Sequence, residues 1–101
     1  MPAVCRVGDS LSTGHACTGT TTIASSNTDG TVHAESIDII VVGAPTVSHP
    51  FPPNPPCAPH VANLNAGSPN VFINGIPAGR IGDSADAGAM ISGSGSVIIN
   101  G

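Results

Sequence analysis

The chain has 101 residues, two of them basic and six acidic, which gives a formal net charge of −4 at pH 7. This charge balance argues against nucleic-acid binding, because the phosphate backbone is held by clustered lysine and arginine side chains. With two phenylalanines, no tyrosine and no tryptophan, residues 1–101 must form one small domain around a core of Val, Ile and Ala, and such a domain usually needs a metal, a disulfide or a partner for stability.

The N-terminal segment, MPAVCRVGDS, lacks the charged start and the long apolar run of a secretory signal peptide. We therefore expect a protein that is made in the cytoplasm without a signal peptide. No apolar run elsewhere in the chain is long enough to span a bilayer. Cys5 lies between Val4 and Arg6 in a short β-like stretch, and we expect it to be a small buried side chain.

The two basic residues, Arg6 and Arg80, are each followed two residues later by Gly-Asp. A carboxylate that accepts hydrogen bonds at a tight turn is a common structural device. We therefore predict two local ion pairs, Arg6 with Asp9 and Arg80 with Asp83, and no catalytic role for either arginine.

The rest of the chain favours strands over helices. Short β-branched runs are separated by Gly, Ser, Thr, Pro and Asn, which are the residues of tight turns. Three of these runs share one pattern: SIDIIVVG at 36–43, SPNVFING at 68–75 and SGSVIING at 94–101. Together with RVGDS at 6–10 and RIGDS at 80–84, they predict an internal three-fold repeat that is cut open between units and shares one core. Chance recurrence of turns in a hairpin-rich chain is the simpler alternative.

Residues 48–60, SHPFPPNPPCAPH, form the stiffest segment of the chain. Proline fixes φ and has no backbone N–H, so this segment cannot be a helix interior or a central strand. Cys57 and His60 have the C-x-x-H spacing of metal ligands, and His49 stands at the other end of the same loop. Taken alone, these residues leave open whether a metal binds.

The segment NVFINGIPAGRIGD at 70–83 resembles the strand-and-turn signature of PAAR-repeat proteins. Its tetrapeptide at 77–80 reads Pro-Ala-Gly-Arg, a departure at one small position, and residues 18–59 depart most from the pattern. The resemblance implies an all-β, cone-shaped fold that caps the blunt end of a trimeric spike in phage tails and type VI secretion systems. It also implies one structural Zn²⁺ near the apex, held by three histidines and one cysteine.

On that resemblance, the first choice of zinc ligands is His15, His49, Cys57 and His60. Alternatives stay open at two positions, because His33 could replace His49, and Cys17 could join His15 in a Cys₂His₂ set. The H-A-C spacing of that second set is tighter than usual for two ligands of one zinc ion. Three is an odd number of cysteines and no paired spacing suggests a disulfide framework. We therefore expect one cysteine ligand and two buried or idle thiols.

The resemblance implies a structural protein and not an enzyme. One copy would cap and sharpen a trimeric β-helical central spike and help to pierce the target envelope. It would contact the target membrane transiently and would lie at the virion tail tip or be secreted with the injection apparatus. Effector cargo would be a further partner, and nucleic acid would not. Whether the machine is a phage tail or a secretion system stays open.

Two other functions compete with this one. A small zinc-dependent hydrolase would need an open coordination position and a general base, and the one glutamate, Glu35, stands in no HExxH-like frame. A toxin-carrying adaptor would hold its cargo non-covalently.

Overall fold

The computed structural model describes residues 3–15, 17–28, 32–34, 36–51 and 58–98. These residues form short β-strands and turns, and no part of them is helical. Nor does this part of the chain contain a helix long and apolar enough to cross a membrane. The predicted all-β class is therefore confirmed for the described residues.

The strands form five antiparallel pairs. Each strand has two or three residues, and isolated bridges, such as Arg6 with Ile39 and Val41 with Ala78, connect residues outside the strands. In chain order, the pairs are β1 (Ser10–Ser12) with β2 (Thr20–Thr22), β3 (His33–Ala34) with β4 (Ile37–Asp38), β5 (His49–Phe51) with β6 (Ala58–His60), β7 (Phe72–Ile73) with β8 (Ile76–Pro77), and β9 (Ser84–Ala85) with β10 (Gly88–Ala89).

A closed ring of three backbone hydrogen bonds joins distant parts of the chain. The Cys5 N–H donates to the Gly79 carbonyl (2.9 Å), Gly79 donates to Ile40 (2.9 Å), and Ile40 donates back to Cys5 (3.1 Å). Shortly after each ring residue the chain makes a turn on a glycine with left-handed φ, a conformation that costs glycine little. These glycines are Gly8 (φ 89°), Gly43 (φ 94°) and Gly82 (φ 92°).

Two of the three turns carry the predicted Arg–Asp pairs, which are confirmed. The Arg6 N–H donates to Asp9 Oδ2 at 2.7 Å, and the Arg6 Nε lies 3.1 Å from the same oxygen. Arg80 repeats this contact with Asp83, at 2.7 Å from its backbone and 2.6 Å from its guanidinium. The third turn, 41–44, has Val and Ala at the equivalent positions and no ion pair there, and Asn27 Nδ2 donates to its Val42 carbonyl at 3.0 Å.

The buried side chains form two aliphatic clusters on opposite faces of the ring strands. Alternate residues of a strand point to opposite sides, so Val4 and Ile39 belong to one cluster while Cys5 and Ile40 belong to the other. The first cluster packs under β1–β2, β5–β6 and β9–β10, which we call the cluster hairpins, and includes Leu11, Ile23, Leu64, Ala85 and Met90. The second packs under β3–β4 and β7–β8, which we call the base hairpins, and includes Ala34, Val41, Ile73 and Ala78.

The hydrogen bonds align the three repeat copies differently from the sequence pattern. Ala78 donates to the carbonyl of Val71 (3.0 Å), Val4 donates to Val97 (3.1 Å), and Ile39 donates to Val32 (3.0 Å). Val32 therefore holds the place of Val71 and Val97, and no residue of 36–43 does. The prediction that 36–43 is the copy equivalent to 68–75 was therefore wrong. The position of the hairpin turn fixes the register of a strand, and the spacing from Ser to Gly does not.

Candidate metal centre

The three cluster hairpins bring together His15, His49, His60 and Asp86, which we call the histidine–aspartate cluster. His15 lies in the connection between β1 and β2, His49 begins β5, His60 ends β6, and Asp86 lies in the turn between β9 and β10. Each cluster hairpin follows one of the three glycine turns. The fold therefore delivers chemically reactive side chains from three separate parts of the sequence to one place.

The four side chains converge on the Asp86 carboxylate. His15 Nε2 and His49 Nε2 each lie 2.8 Å from Asp86 Oδ2, and His60 Nε2 lies 3.4 Å from Asp86 Oδ1. The ligand atoms of all four residues lie within 4.8 Å of one another. The His15 and His49 rings are stacked, with centroids 5.3 Å apart, while His60 meets both edge-on. Three imidazole nitrogens and a carboxylate at this spacing could hold one metal ion.

The cluster is largely buried, and its central carboxylate is charged. Only 7% of the His15 side chain, 3% of His49 and 6% of Asp86 is exposed, whereas His60 is 25% exposed. Burial by itself raises the pKa of the Asp86 carboxyl, but the contacts with the histidine ring nitrogens, His49 and His15 first, outweigh it and hold that pKa below its usual range. Asp86 is therefore an anion at the centre of the cluster.

The orientation of His49 indicates that a cation belongs beside it. His49 Nδ1 lies 2.9 Å from the Val47 carbonyl, which only accepts hydrogen bonds, so Nδ1 carries the proton. In a neutral ring, Nε2 then presents its lone pair to Asp86 Oδ2 at 2.8 Å. Two acceptors at this distance repel each other unless a proton or a metal cation lies between them. Metal-binding histidines characteristically donate their second ring nitrogen to a carbonyl in this way.

The backbone around Asp86 holds its carboxylate in place. Asp86 has a left-handed φ of 54°, which non-glycine residues seldom adopt without support. Its N–H donates to the Asn63 carbonyl (3.1 Å), and its own carbonyl accepts from Asn65 Nδ2 (2.9 Å). The next residue, Ala87, donates to the Thr13 carbonyl at 2.9 Å.

Two glycines allow the β1–β2 and β9–β10 hairpins to approach closely. A Cβ on Gly14, whose φ is 72°, would collide with the carbonyl of Ala87, and a Cβ on Gly88 would collide with the carbonyl of Ser12. Because Gly14 precedes His15 and Ala87 follows Asp86, this contact sets the distance between two members of the cluster.

The structure places the predicted ligands as follows. His15, His49 and His60 lie in the cluster, and Cys57 lies outside the described residues. His33 lies elsewhere, with its Nε2 2.8 Å from Asp38 Oδ1 on a base hairpin.

The cysteine expectation needs one correction. Cys5 is a free, fully buried thiol as predicted, whereas Cys17 is disulfide-bonded and is not an idle thiol. The sequence argument missed this bond because it looked for spaced pairs of cysteines, and a disulfide depends on closeness in space.

Asp86 is the residue of the cluster that the sequence argument missed. A pattern in the sequence could have predicted it. A potential ligand follows the last residue of each glycine turn within six residues: His15 after Asp9, His49 after Ala44 and Asp86 after Asp83. Applied to all three turns, the predicted repeat would have drawn attention to Asp86.

Comparison with known proteins adds no relative. No protein-family model matches this chain, and no curated protein matches its sequence.

Proposed function

We propose that this protein is the structural tip of a contractile injection machine, a phage tail or a type VI secretion system. One copy caps the blunt end of a trimeric β-helical spike, and a zinc ion in the histidine–aspartate cluster stabilises its point. The observation that carries this proposal is the closed hydrogen-bond ring of Cys5, Ile40 and Gly79. We call each ring residue, together with its glycine turn and the cluster hairpin that follows, a sector. A monomer with three similar sectors can match the three-fold symmetry of a trimer.

The equivalence of the sectors extends beyond the ring. Each glycine of the three turns donates to a buried residue of the next hairpin: Gly8 to Ile23, Gly43 to Leu64 and Gly82 to Met90, all at 2.9 Å. The residues before those glycines also donate alike: Val7 to Asp38, Val42 to Pro77 and Ile81 to Ala3, all at 3.0 Å. These matched sets favour a pseudo-three-fold chain over chance recurrence of turns.

The base hairpins supply a surface suited to a partner. On these hairpins Phe72 is 54% exposed and Ile37 is 39% exposed, whereas Ile73 is buried. Ile98, which pairs with Ala3, is also 54% exposed, and Ile40 is buried. Exposed strand edges are templates for strand addition, so a β-helical spike can continue these hairpins through backbone hydrogen bonds. Ile99, the residue after Ile98, lies outside the described residues.

The histidine–aspartate cluster lies among the hairpins on the other face of the ring strands. A metal there would tie three short hairpins together, where an aliphatic core of this size stabilises the fold only marginally. When bound, the metal supplies cross-linking free energy and no chemistry. The chain measures 40 × 25 × 21 Å along its principal axes, and this elongation suits a pointed cap. With this end the chain would contact the target membrane transiently, and an effector protein could bind to it as cargo.

The test is the mass of the complex with the purified trimeric spike from the same source. One copy per trimer is the expected result, and Phe72→Asp should abolish docking while leaving metal content unchanged. Val61→Asp is the matched control, because Val61 is 55% exposed but follows β6 on a cluster hairpin, so this variant should still dock. Three copies per trimer, or no binding to the spike, would overturn the proposal.

A further inference from the structure

We infer that the metal is held by three imidazole nitrogens and the Asp86 carboxylate, with no thiolate, and that binding is independent of the redox state of the cysteines. This places Asp86 in the position that the sequence argument gave to Cys57. The ion expected is a borderline divalent cation, Zn²⁺ first, since imidazole and carboxylate donors suit it. The inference rests on the proposed function for the role of the metal, and on the geometry alone for its ligands.

The first argument is the position of the carboxylate. Asp86 is the one residue of the cluster that lies within 3.4 Å of all three histidine Nε2 atoms. A carboxylate buried to this degree needs compensating positive charge. A divalent cation bound by His49 and its two neighbours supplies that charge, and no fully buried imidazolium is then required.

The second argument is that the turn is built around this carboxylate. Asp86 holds a left-handed φ, a conformation that aspartate adopts more often than most non-glycine residues and that persists where its surroundings support it. Asn63 and Asn65 both bond the Asp86 backbone. The side chain is thereby fixed among the histidines before any metal arrives, which reduces the ordering cost of binding.

The third argument is that the cysteine near the site, Cys17, is oxidised. Cys17, two residues after His15, is in a disulfide, and only a thiolate sulfur serves as a metal ligand. Under oxidising conditions a ligand cysteine is open to conversion into a disulfide or a sulfenic acid, neither of which binds a metal as a thiolate. A site made of imidazole and carboxylate donors keeps its metal under those conditions, so the disulfide and the metal can stabilise the same hairpins together.

The test uses Co²⁺ as a spectroscopic probe in the full-length, oxidised protein. Thiolate ligation gives an intense sulfur-to-cobalt charge-transfer band in the near ultraviolet, whereas nitrogen and oxygen ligands give only the weaker visible bands of a tetrahedral ion. We expect the visible bands alone, with an unchanged spectrum after reduction and alkylation of the cysteines. A sulfur-to-cobalt band in either state would overturn the inference.

Variants test the same point by Zn²⁺ affinity, measured by competition with a chelator. Asp86→Asn should weaken binding by more than about tenfold, the size seen when even the supporting partners of metal ligands are lost. Asp38→Asn is the matched control, because it removes the same charge from a partly exposed site on a base hairpin and should leave affinity unchanged. Cys57→Ser should keep the metal, whereas Asp86→Cys should gain the sulfur-to-cobalt band.

The outcomes separate this inference from the proposed function. Loss of metal in Cys57→Ser with retention in Asp86→Asn would overturn the inference while leaving the spike-docking role intact. A protein that binds Co²⁺ without sulfur but never docks on a spike would support the inference and overturn the function. Failure of the oxidised wild-type chain to bind Zn²⁺ or Co²⁺ would overturn the inference. Because the cobalt spectrum is read on the wild-type chain, a variant that fails to fold does not block the test.

Discussion

At the scale of single residues, the cysteines differ in their environments. Cys5 is fully buried in the first core cluster, and its Sγ lies 3.3 Å from the Ser92 carbonyl. Burial, together with the nearby Asp9 and Asp83 carboxylates, raises the pKa of the Cys5 thiol to about 12. Cys5 is therefore a packing residue, because the reactive form of cysteine is the thiolate.

We predict that the Cys5 thiol is inert in the native protein. Iodoacetamide should label Cys5 at neutral pH only after denaturation, as read by mass spectrometry of the intact chain. The free energy of unfolding should also fall as the pH rises from 9 toward 12, because the unfolded thiol loses its proton in that interval and the native thiol does not. Below that interval both states keep the proton and Cys5 contributes no pH dependence. Cys5→Ala should reduce this slope, and rapid labelling of the folded chain would contradict the assignment.

At the scale of elements, the geometry of the metal centre depends on how closely two hairpins approach. Gly14 has a left-handed φ and abuts the Ala87 carbonyl, so it lies at the contact between β1–β2 and β9–β10. No side chain fits there without moving one hairpin away from the other. The distance between His15 and Asp86 is thereby linked to a glycine that binds nothing itself.

We predict that Gly14→Ala lowers both stability and metal affinity. The strained φ alone should cost about 1 kcal/mol or more, and the displaced hairpin should weaken Zn²⁺ binding. Chemical denaturation and chelator competition measure the two effects. Gly19→Ala is the matched control, because a Cβ there meets nothing within 4 Å and the change should be close to neutral. Equal effects of the two substitutions would remove Gly14 from this role.

The connection between β1 and β2 also carries a covalent link, since Cys17 is disulfide-bonded. Thr18, the next residue, donates from Oγ1 to the Pro50 carbonyl at 3.1 Å, so this end of the β1–β2 hairpin already contacts β5. Cys5 is free, which leaves Cys57 as the remaining cysteine of the chain by count.

We predict that non-reducing peptide mapping will find Cys17 linked to Cys57. Reduction should lower the free energy of unfolding by about 2–4 kcal/mol, and chelation of the metal should lower it further in both the reduced and the oxidised chain. Thermal unfolding of the four states measures this. If reduction alone releases the metal, the two links are not independent and a sulfur ligand is implicated.

At the scale of the whole molecule, the chain closes on itself. Ala3 pairs with Ile98, the Val4 N–H donates to Val97 at 3.1 Å, and Ile81 donates to Ala3 at 3.0 Å. Ile39 likewise donates to Val32 beside β3–β4, and Ala78 donates to Val71 beside β7–β8, both at 3.0 Å. In the proposed three-sector arrangement, the contact between the two ends of the described chain corresponds to one of these hairpins.

We predict that a circular permutant folds and binds metal. It would join the present ends by a short linker and open the chain between Asn74 and Gly75, the tight turn of β7–β8 where both residues have positive φ. Exposed hairpin turns tolerate such cuts. Opening at Gly79 instead would break the hydrogen-bond ring and should prevent folding. Circular dichroism and Zn²⁺ content measure the outcome, and failure of the first permutant would argue against equivalent sectors.

The sequence by itself determined the features that depend on near neighbours. The all-β class follows from β-branched runs between turn residues, and the Arg6–Asp9 and Arg80–Asp83 pairs span only three residues each. An arginine and an aspartate on one tight turn must lie close together whatever the rest of the chain does. The aliphatic core of Val, Ile and Ala was predictable from composition, although Leu11, Leu64 and Met90 also belong to it.

Only the tertiary structure decided which distant residues meet. Asp86 contacts His15 across 71 positions and His49 across 37, the pairing of Cys17 is set by closeness in space, and Val32 took the place that sequence spacing gave to 36–43. Contacts of this kind depend on how three hairpins close around the hydrogen-bond ring, and many arrangements share the same local pattern. Residue type determines which side chains can bind a metal or form a disulfide, whereas the closure of the hairpins around the backbone ring determines which of them lie close together.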